Sequence, residues 1–263
     1  MDKRFCFTVD DNIRVFKELT KGEYSSIFDH PYLAMYRRLH KKHGLCVQLN
    51  LFYEGKEGFT LAEMTDRYCA EFEANADWLK MSFHSRMENV RPYENSGYDE
   101  VLFDATAVET EIVRFASKSA LAETTTVHFC RLTADGIRAM AERRVRGLLG
   151  LYGDKDSPRL SYQTKEMDAP RLREGETVYD GKIAYAGIDI VLNLYETKEN
   201  LARLAPLCGR DLIKVMIHEQ YFYPDYPHYQ KDFEEKLDAV FTALTGHGYQ
   251  STFFENTLKK EEL

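Results

Sequence analysis

Short apolar runs alternate with amphipathic ones along most of the chain. Residues 4–9 ("RFCFTV") read as a strand, 45–52 ("LCVQLNLF") as a second and 79–84 ("LKMSFH") as a third. Residues 124–129 ("TTTVHF") and 147–152 ("GLLGLY") read as the fourth and fifth. Between them the period changes to that of a helix. Residues 30–44 carry Pro31 in the first turn and Gly44 just past the end. Residues 65–79 have Thr65 as an N-cap candidate and Tyr68, Phe72 and Ala76 four apart. Residues 98–117 place Val101, Ala105, Val108, Ile112 and Phe115 on one stripe, and Thr133 caps a helix over 133–145.

The alternation breaks over residues 156–195, where "YDGKIAYAGIDIVLNLY" reads as a hairpin. It then resumes with a short helix near 197–205, a strand over 211–218, a helix in 228–245 and a last strand over 249–254. Repeated strand–helix units imply parallel strands joined by right-handed crossovers. About seven such units in 263 residues fit an α/β architecture of the distorted or incomplete (β/α)7-8 barrel type, with a β-hairpin insertion. An open doubly wound sheet is the alternative. One domain over 1–263 is expected, with 156–195 as its β insertion.

Composition narrows the partners. Lys and Arg number 35 against 43 Asp and Glu, a net charge of −8, which argues against nucleic acid. The five cysteines are widely spaced without a CxxC pair, as buried thiols in a reducing compartment would be. No apolar run is long enough to span a membrane, and the N-terminus does not read as a signal peptide, so a cytoplasmic location is expected.

Functional groups of a parallel barrel gather at the C-terminal strand ends. There the sequence puts Asp10 and Asp11, then His84, His128, Asp154 and Asp156, and finally His218 and Glu219. Any one of them has an ordinary structural reading, since Asp after a strand often caps a helix. Together they repeat polar chemistry at most of the strand ends. Carboxylate and imidazole suit a divalent transition metal, with zinc first. A second carboxylate beside a ligand can serve as general base, and His218 across the mouth as acid. His30, His40, His43 and His247 sit in contexts that assign them no role.

These residues resemble the polysaccharide deacetylases, the carbohydrate esterases that include chitin-oligosaccharide and peptidoglycan deacetylases. "FTVDD" is similar to the family's Asp-Asp motif, "FHSRME" to the start of its His-Ser-x-x-His motif and "VMIHEQ" to its late Leu-x-His motif. The ending "FTALTGHGYQSTFF" matches the closing helix and strand. The resemblance implies that Asp10 is the base, Asp11 and His84 are metal ligands and His218 is the acid. Glu88 stands where the second metal-binding His is expected, and the Arg-Pro-Pro-Tyr motif is replaced by a segment carrying His128 and Arg131.

The third ligand is therefore His128, which restores an Asp-His-His set, or Glu88, which has the spacing of a helical turn from His84. His128 is favoured. The aromatic run 218–230 offers Tyr221 and Tyr223, with Phe222, Tyr226 and Tyr229, as a platform for sugar faces, joined by Arg131 and Glu219 as substrate-binding candidates. The implied activity is removal of an acetyl group from an N-acetylated sugar, free or on a nucleotide- or lipid-linked glycan. The alternative is a carbohydrate-binding protein on a barrel that has lost its chemistry.

Overall fold

The computed structural model describes residues 3–88, 93–153 and 159–259. The strands are β1 Arg4–Asn12, β2 Val47–Phe52, β3 Leu79–Ser85, β4 Thr124–Thr125, β5 Gly147–Gly150, β6 Thr177–Asp180, β7 Ile183–Gly187, β8 Ile190–Val191, β9 Leu212–His218 and β10 Gln250–Ser251. The helices are α1 Arg14–Lys21, α2 Pro31–His43, α3 Cys69–Ala74, α4 Tyr98–Ala116, α5 Ala134–Glu142, α6 Ala169–Arg173, α7 Thr197–Leu204 and α8 Phe233–Gly246.

Two ladders make up the wall of the barrel. One runs β3-β2-β1-β9-β8 and the other β4-β5-β7-β6, and only β6 is antiparallel to its neighbour. They join on one side through the bridge Met81–Leu121 and on the other where the chain runs from β7 into β8 and the Asp189 N–H donates to Lys214 O. The barrel is thus distorted, with ladders interrupted at two seams. On one flank β1 is shared: β10 pairs with its first residues and β2 with its later ones.

The core splits by side-chain parity. Phe5, Phe7 and Val9 of β1 point outward and are fully covered; Phe5 and Phe7 pack on Phe241 of α8, and Phe7 also on Tyr36 of α2. The alternate residues Cys6, Thr8 and Asp10 point inward. So do Gln48 and Asn50, Ser82 and His84, and Lys214 and His218 on neighbouring strands. The interior is therefore polar along its middle: Ser82 Oγ and Gln48 Nε2 donate to Asn50 Oδ1 at 2.6 and 2.9 Å, and Gln48 Nε2 also donates to Thr124 O at 2.8 Å. Phe254 and Leu258 close the lower end against Cys6, Leu149 and Ala184.

Several elements differ from the sequence reading. The fourth strand stops at Thr125, and His128–Cys130 form a tight turn instead. The helix expected over 65–79 is only Cys69–Ala74. Helix α1 has no sequence signal separating it from the strand before it. The final helix starts at Phe233, because the loop before it holds Pro224 and Pro227. The last strand is only β10, followed by a turn over Phe254–Thr257. The hairpin read in 156–195 forms as β6–β7, and its second strand lies parallel beside β5 as part of the wall.

Candidate metal centre

Strand β1 ends in a bulge. Its register against β2 shifts between Val9 and Asn12, and Asp11 takes a positive φ of 65°. A bulge re-aims side chains, so consecutive residues need not alternate there. Asp10 points into the barrel, 2% exposed, and accepts from Asn50 Nδ2 at 2.6 Å. Asp11 turns to the mouth, where Gln220 Nε2 donates to its Oδ2 at 2.8 Å.

Asp11, His84 and His128 converge. Asp11 Oδ1 is 3.0 Å from His84 Nε2 and 3.5 Å from His128 Nδ1, and the two imidazole nitrogens are 3.1 Å apart. Ligand atoms around a tetrahedral zinc, at about 2.0–2.2 Å from it, lie roughly 3.3–3.6 Å from one another. The donor triangle has nearly that size. Its proton inventory points the same way. His84 Nδ1 faces the carbonyl of Thr126, which can only accept, so Nδ1 carries the proton. A neutral His84 then directs a bare Nε2 lone pair at a carboxylate oxygen. Two acceptors in contact require a proton or a cation between them. Among the described residues this is the one cluster whose His, Cys, Asp or Glu donors could hold an ion.

The electrostatics reflect that crowding. Burial raises the Asp10 carboxyl against the pull of His84 and His218. Burial also raises Asp11, but the hydrogen bond from His84 and the charges of His84, His218 and His128 outweigh it and hold the carboxyl well below the usual range. Burial depresses His84, yet Asp10 and Asp11 raise it on balance. Burial and the adjacent His84 push His128 down to about 4. Without a metal, these directions favour a proton on His84 facing an ionised Asp11, with His128 neutral.

On the adjacent strand, His218 is the residue paired with Asp10 in the β1–β9 ladder. Its Nδ1 lies 2.8 Å from Asn193 Oδ1, which leaves Nε2 without a hydrogen-bond partner among the described residues. Beside the cluster a cleft of about 310 Å³ is lined by Asp11, Phe52, Glu54, Glu88, Gln220 and Tyr226, among others.

The remaining candidates divide. Glu88 is not on a helical turn with His84, because β3 continues through Ser85; it pairs with Lys56 at 2.8 Å. Glu219 and Tyr223 line the same cleft, and Glu219 has a structural role as well. Its carboxylate accepts from the N–H groups of Ile13, Arg14 and Val15 at 2.8–3.0 Å and so caps α1. Tyr223, also read as substrate-binding, is 4% exposed, lies under the Arg14 guanidinium and donates to Glu219. Phe222 packs on Tyr32 and Phe233. The aromatic loop is therefore partly a packing element, while Tyr221 and Tyr226 pair at 5.1 Å near His218. Arg131 is exposed and paired with Glu94 at 3.8 Å. Asp154 and Asp156 lie outside the described residues. Sequence reasoning missed Asn50, Gln220 and Asn193. The alternation of "VQLNLF" signals Asn50, whereas nothing in the sequence marks the other two.

No protein-family model matches the sequence, and no curated protein matches it. Solved structures do. The chain superposes over 99% of its length on a peptidoglycan N-acetylglucosamine deacetylase, covering 90% of that chain with a TM-score of 0.56 at 9% identity. It superposes over 98% on a CE4 family pseudoenzyme from Bacillus anthracis, covering 66% of that chain, at 0.54 and 11%. The fold is that of the polysaccharide deacetylases. A 4-alpha-glucanotransferase from Thermococcus litoralis is also similar, at a TM-score of 0.65 and 13% identity over 99% of this chain and 40% of that one. A deacetylase fold thus sets the frame, and function depends on the residues at the mouth.

Proposed function

We propose that this protein is a metal-dependent hydrolase that removes the acetyl group from an N-acetylated sugar. The observation that carries the reading is the triangle of Asp11, His84 and His128 donors with a second carboxylate, Asp10, directly behind it. Those three residues would hold the ion, with His128 rather than Glu88 as third ligand. A divalent ion held there, zinc first, would polarise the amide carbonyl and lower the pKa of water.

The chain's own residues supply the proton chemistry. Asn50 fixes one oxygen of Asp10, and the other is the base that takes a proton from the attacking water. Asn193 orients His218, whose Nε2 delivers a proton to the departing sugar nitrogen. Tyr221 and Tyr226 offer apolar faces to the sugar. An N-acetylated sugar, free or on a nucleotide- or lipid-linked glycan, is the substrate class we favour.

A second reading, a carbohydrate-binding protein without turnover, is supported by Glu88 in place of the expected second histidine and by the pseudoenzyme likeness. Acetate release from N-acetylglucosamine oligomers by zinc-loaded protein separates the two. Turnover that disappears in Asp10→Asn supports the hydrolase. Stoichiometric metal and sugar binding without acetate release supports the binder.

A further inference from the structure

Phe129 follows His128 in the turn that closes the fourth strand. Two features make it a costly residue for its place. Its backbone is left-handed, with φ 58° and ψ 5°, a region that bulky side chains rarely enter. Its side chain is also an exposed aromatic, with 52% of its surface open to solvent. Neither the local conformation nor the hydrophobic effect selects phenylalanine there. Asparagine or glycine would suit the backbone, and a polar residue would suit the surface.

The strain is held from several sides. Cys130, also at positive φ (56°), donates its N–H to Val127 O at 2.7 Å. Arg159 Nη2 donates to Phe129 O at 2.9 Å. Tyr162 clamps the turn twice: its hydroxyl accepts from Val127 N–H at 3.1 Å, and its own N–H donates to Cys130 O at 3.0 Å. The Phe129 ring centroid is 4.1 Å from that of His128, so the ring sits beside the donor triangle. Strain that the surrounding structure maintains at a site is evidence of a use for the strained residue.

We infer that Phe129 is a stacking platform for the apolar face of a sugar ring bound next to Asp11, His84 and His128. The inference rests on the carbohydrate reading above and adds a binding residue to it. Sugar C–H faces pack on aromatic rings, and a ring displayed by a rigid turn loses little entropy on binding.

The test uses full-length zinc-loaded protein carrying Asp10→Asn, so that the ligand stays intact. The probe is the N-acetylglucosamine trimer, with affinity read by calorimetry. Adding Phe129→Asn is expected to weaken binding about 2–13-fold, the factor that roughly 0.5–1.5 kcal/mol of stacking represents. Phe129→Trp should restore it. Thermal melting supplies a readout without sugar: Phe129→Asn should keep the melting temperature or raise it by about 1–3 °C as the turn relaxes. Undiminished trimer affinity in Phe129→Asn overturns the platform while leaving the carbohydrate reading standing. A clear fall in melting temperature overturns it as well, since the ring would then be there for packing. Absence of trimer binding in the parent protein overturns the carbohydrate reading and the platform with it.

Discussion

The two ends of the barrel both bury charge, and they do it differently. At the lower end, Asp189 pairs with Arg210 and with Lys214 Nζ at 3.1 Å, and Lys214 also donates to Gly175 O. Lys80 meets Glu255 at 2.5 Å, and the other oxygen of Glu255 accepts the Glu123 N–H. Each of these buried charges has an opposite partner, and Phe254 and Leu258 plug the opening. At the upper end, Asp11, His84 and His128 bring together three lone-pair atoms that a proton or a cation must reconcile, and the Nε2 of His128 is buried without a partner among the described residues. Asp11, Phe129 and Cys130 hold left-handed backbone. The lower end is arranged for stability by itself. The upper end can exchange the proton between His84 and Asp11 for a cation, which is why we read it as the working end.

The largest effect that would break this contrast is on rate. Asp10→Asn should retain zinc and lose about 10²–10⁴-fold in acetate release, because asparagine cannot take the proton. Asp11→Asn should instead lose the zinc, and metal content measured beside turnover on the same preparations tells the two apart. Were Asp10→Asn to strip the metal, the roles of the two carboxylates would be exchanged.

The next effect is on stability, at the other end. Lys214→Met leaves Asp189 with one fewer partner in a buried place, and removing one partner of a buried pair costs about 3–5 kcal/mol. A fall in melting temperature of roughly 10 °C with unchanged zinc affinity is expected. Coupled loss of zinc would mean that the ends are not separate.

A smaller effect concerns pH. His84 must be deprotonated to bind an ion, and its pKa is raised in the metal-free protein. Zinc affinity should therefore be flat above that pKa and fall by about tenfold per pH unit below it. The sign follows from a proton competing with the ion for Nε2. Calorimetry in two buffers of different ionisation enthalpy, at a pH where the affinity falls, would count the proton released, and no release there would place the cation elsewhere.

The smallest effect is chemical. Burial pushes the Cys130 thiol up to about 11, so at pH 8 about one molecule in a thousand presents thiolate. Labelling of Cys130 should be slow and should slow further with zinc bound to its neighbour His128. Fast labelling would mean that the clamped turn opens.

How much of this was legible in the sequence follows from how local each signal is. Helix α4 was readable because its stripe is long and Gly97 and Ser117 bound it. The Asp10–Asp11 pair, His84 and His218 stood out as candidates because each ends a recognisable strand. His128 does lie at the mouth, but by another route than a strand end: β4 stops at Thr125, and the strained turn after it carries the histidine inward. Glu219 and Tyr223 line the cleft, but polarity and aromaticity do not tell that they also cap α1 and pack under Arg14. Only the tertiary fold shows that the N-terminus of α1 needs a carboxylate there. Gln220 and Asn193 act across 209 and 25 residues of sequence, and no local pattern records such pairs.

All of the proposed chemistry depends on a single divalent ion held at the upper end by Asp11, His84 and His128. Zinc stoichiometry and affinity of the purified protein, measured beside His128→Ala and Glu88→Ala, decide whether it is there. One zinc per chain is expected, lost in His128→Ala and retained in Glu88→Ala. Zinc kept by His128→Ala and lost by Glu88→Ala would overturn the ligand set, and a wild-type protein that binds no divalent ion at neutral pH would overturn the metal centre itself.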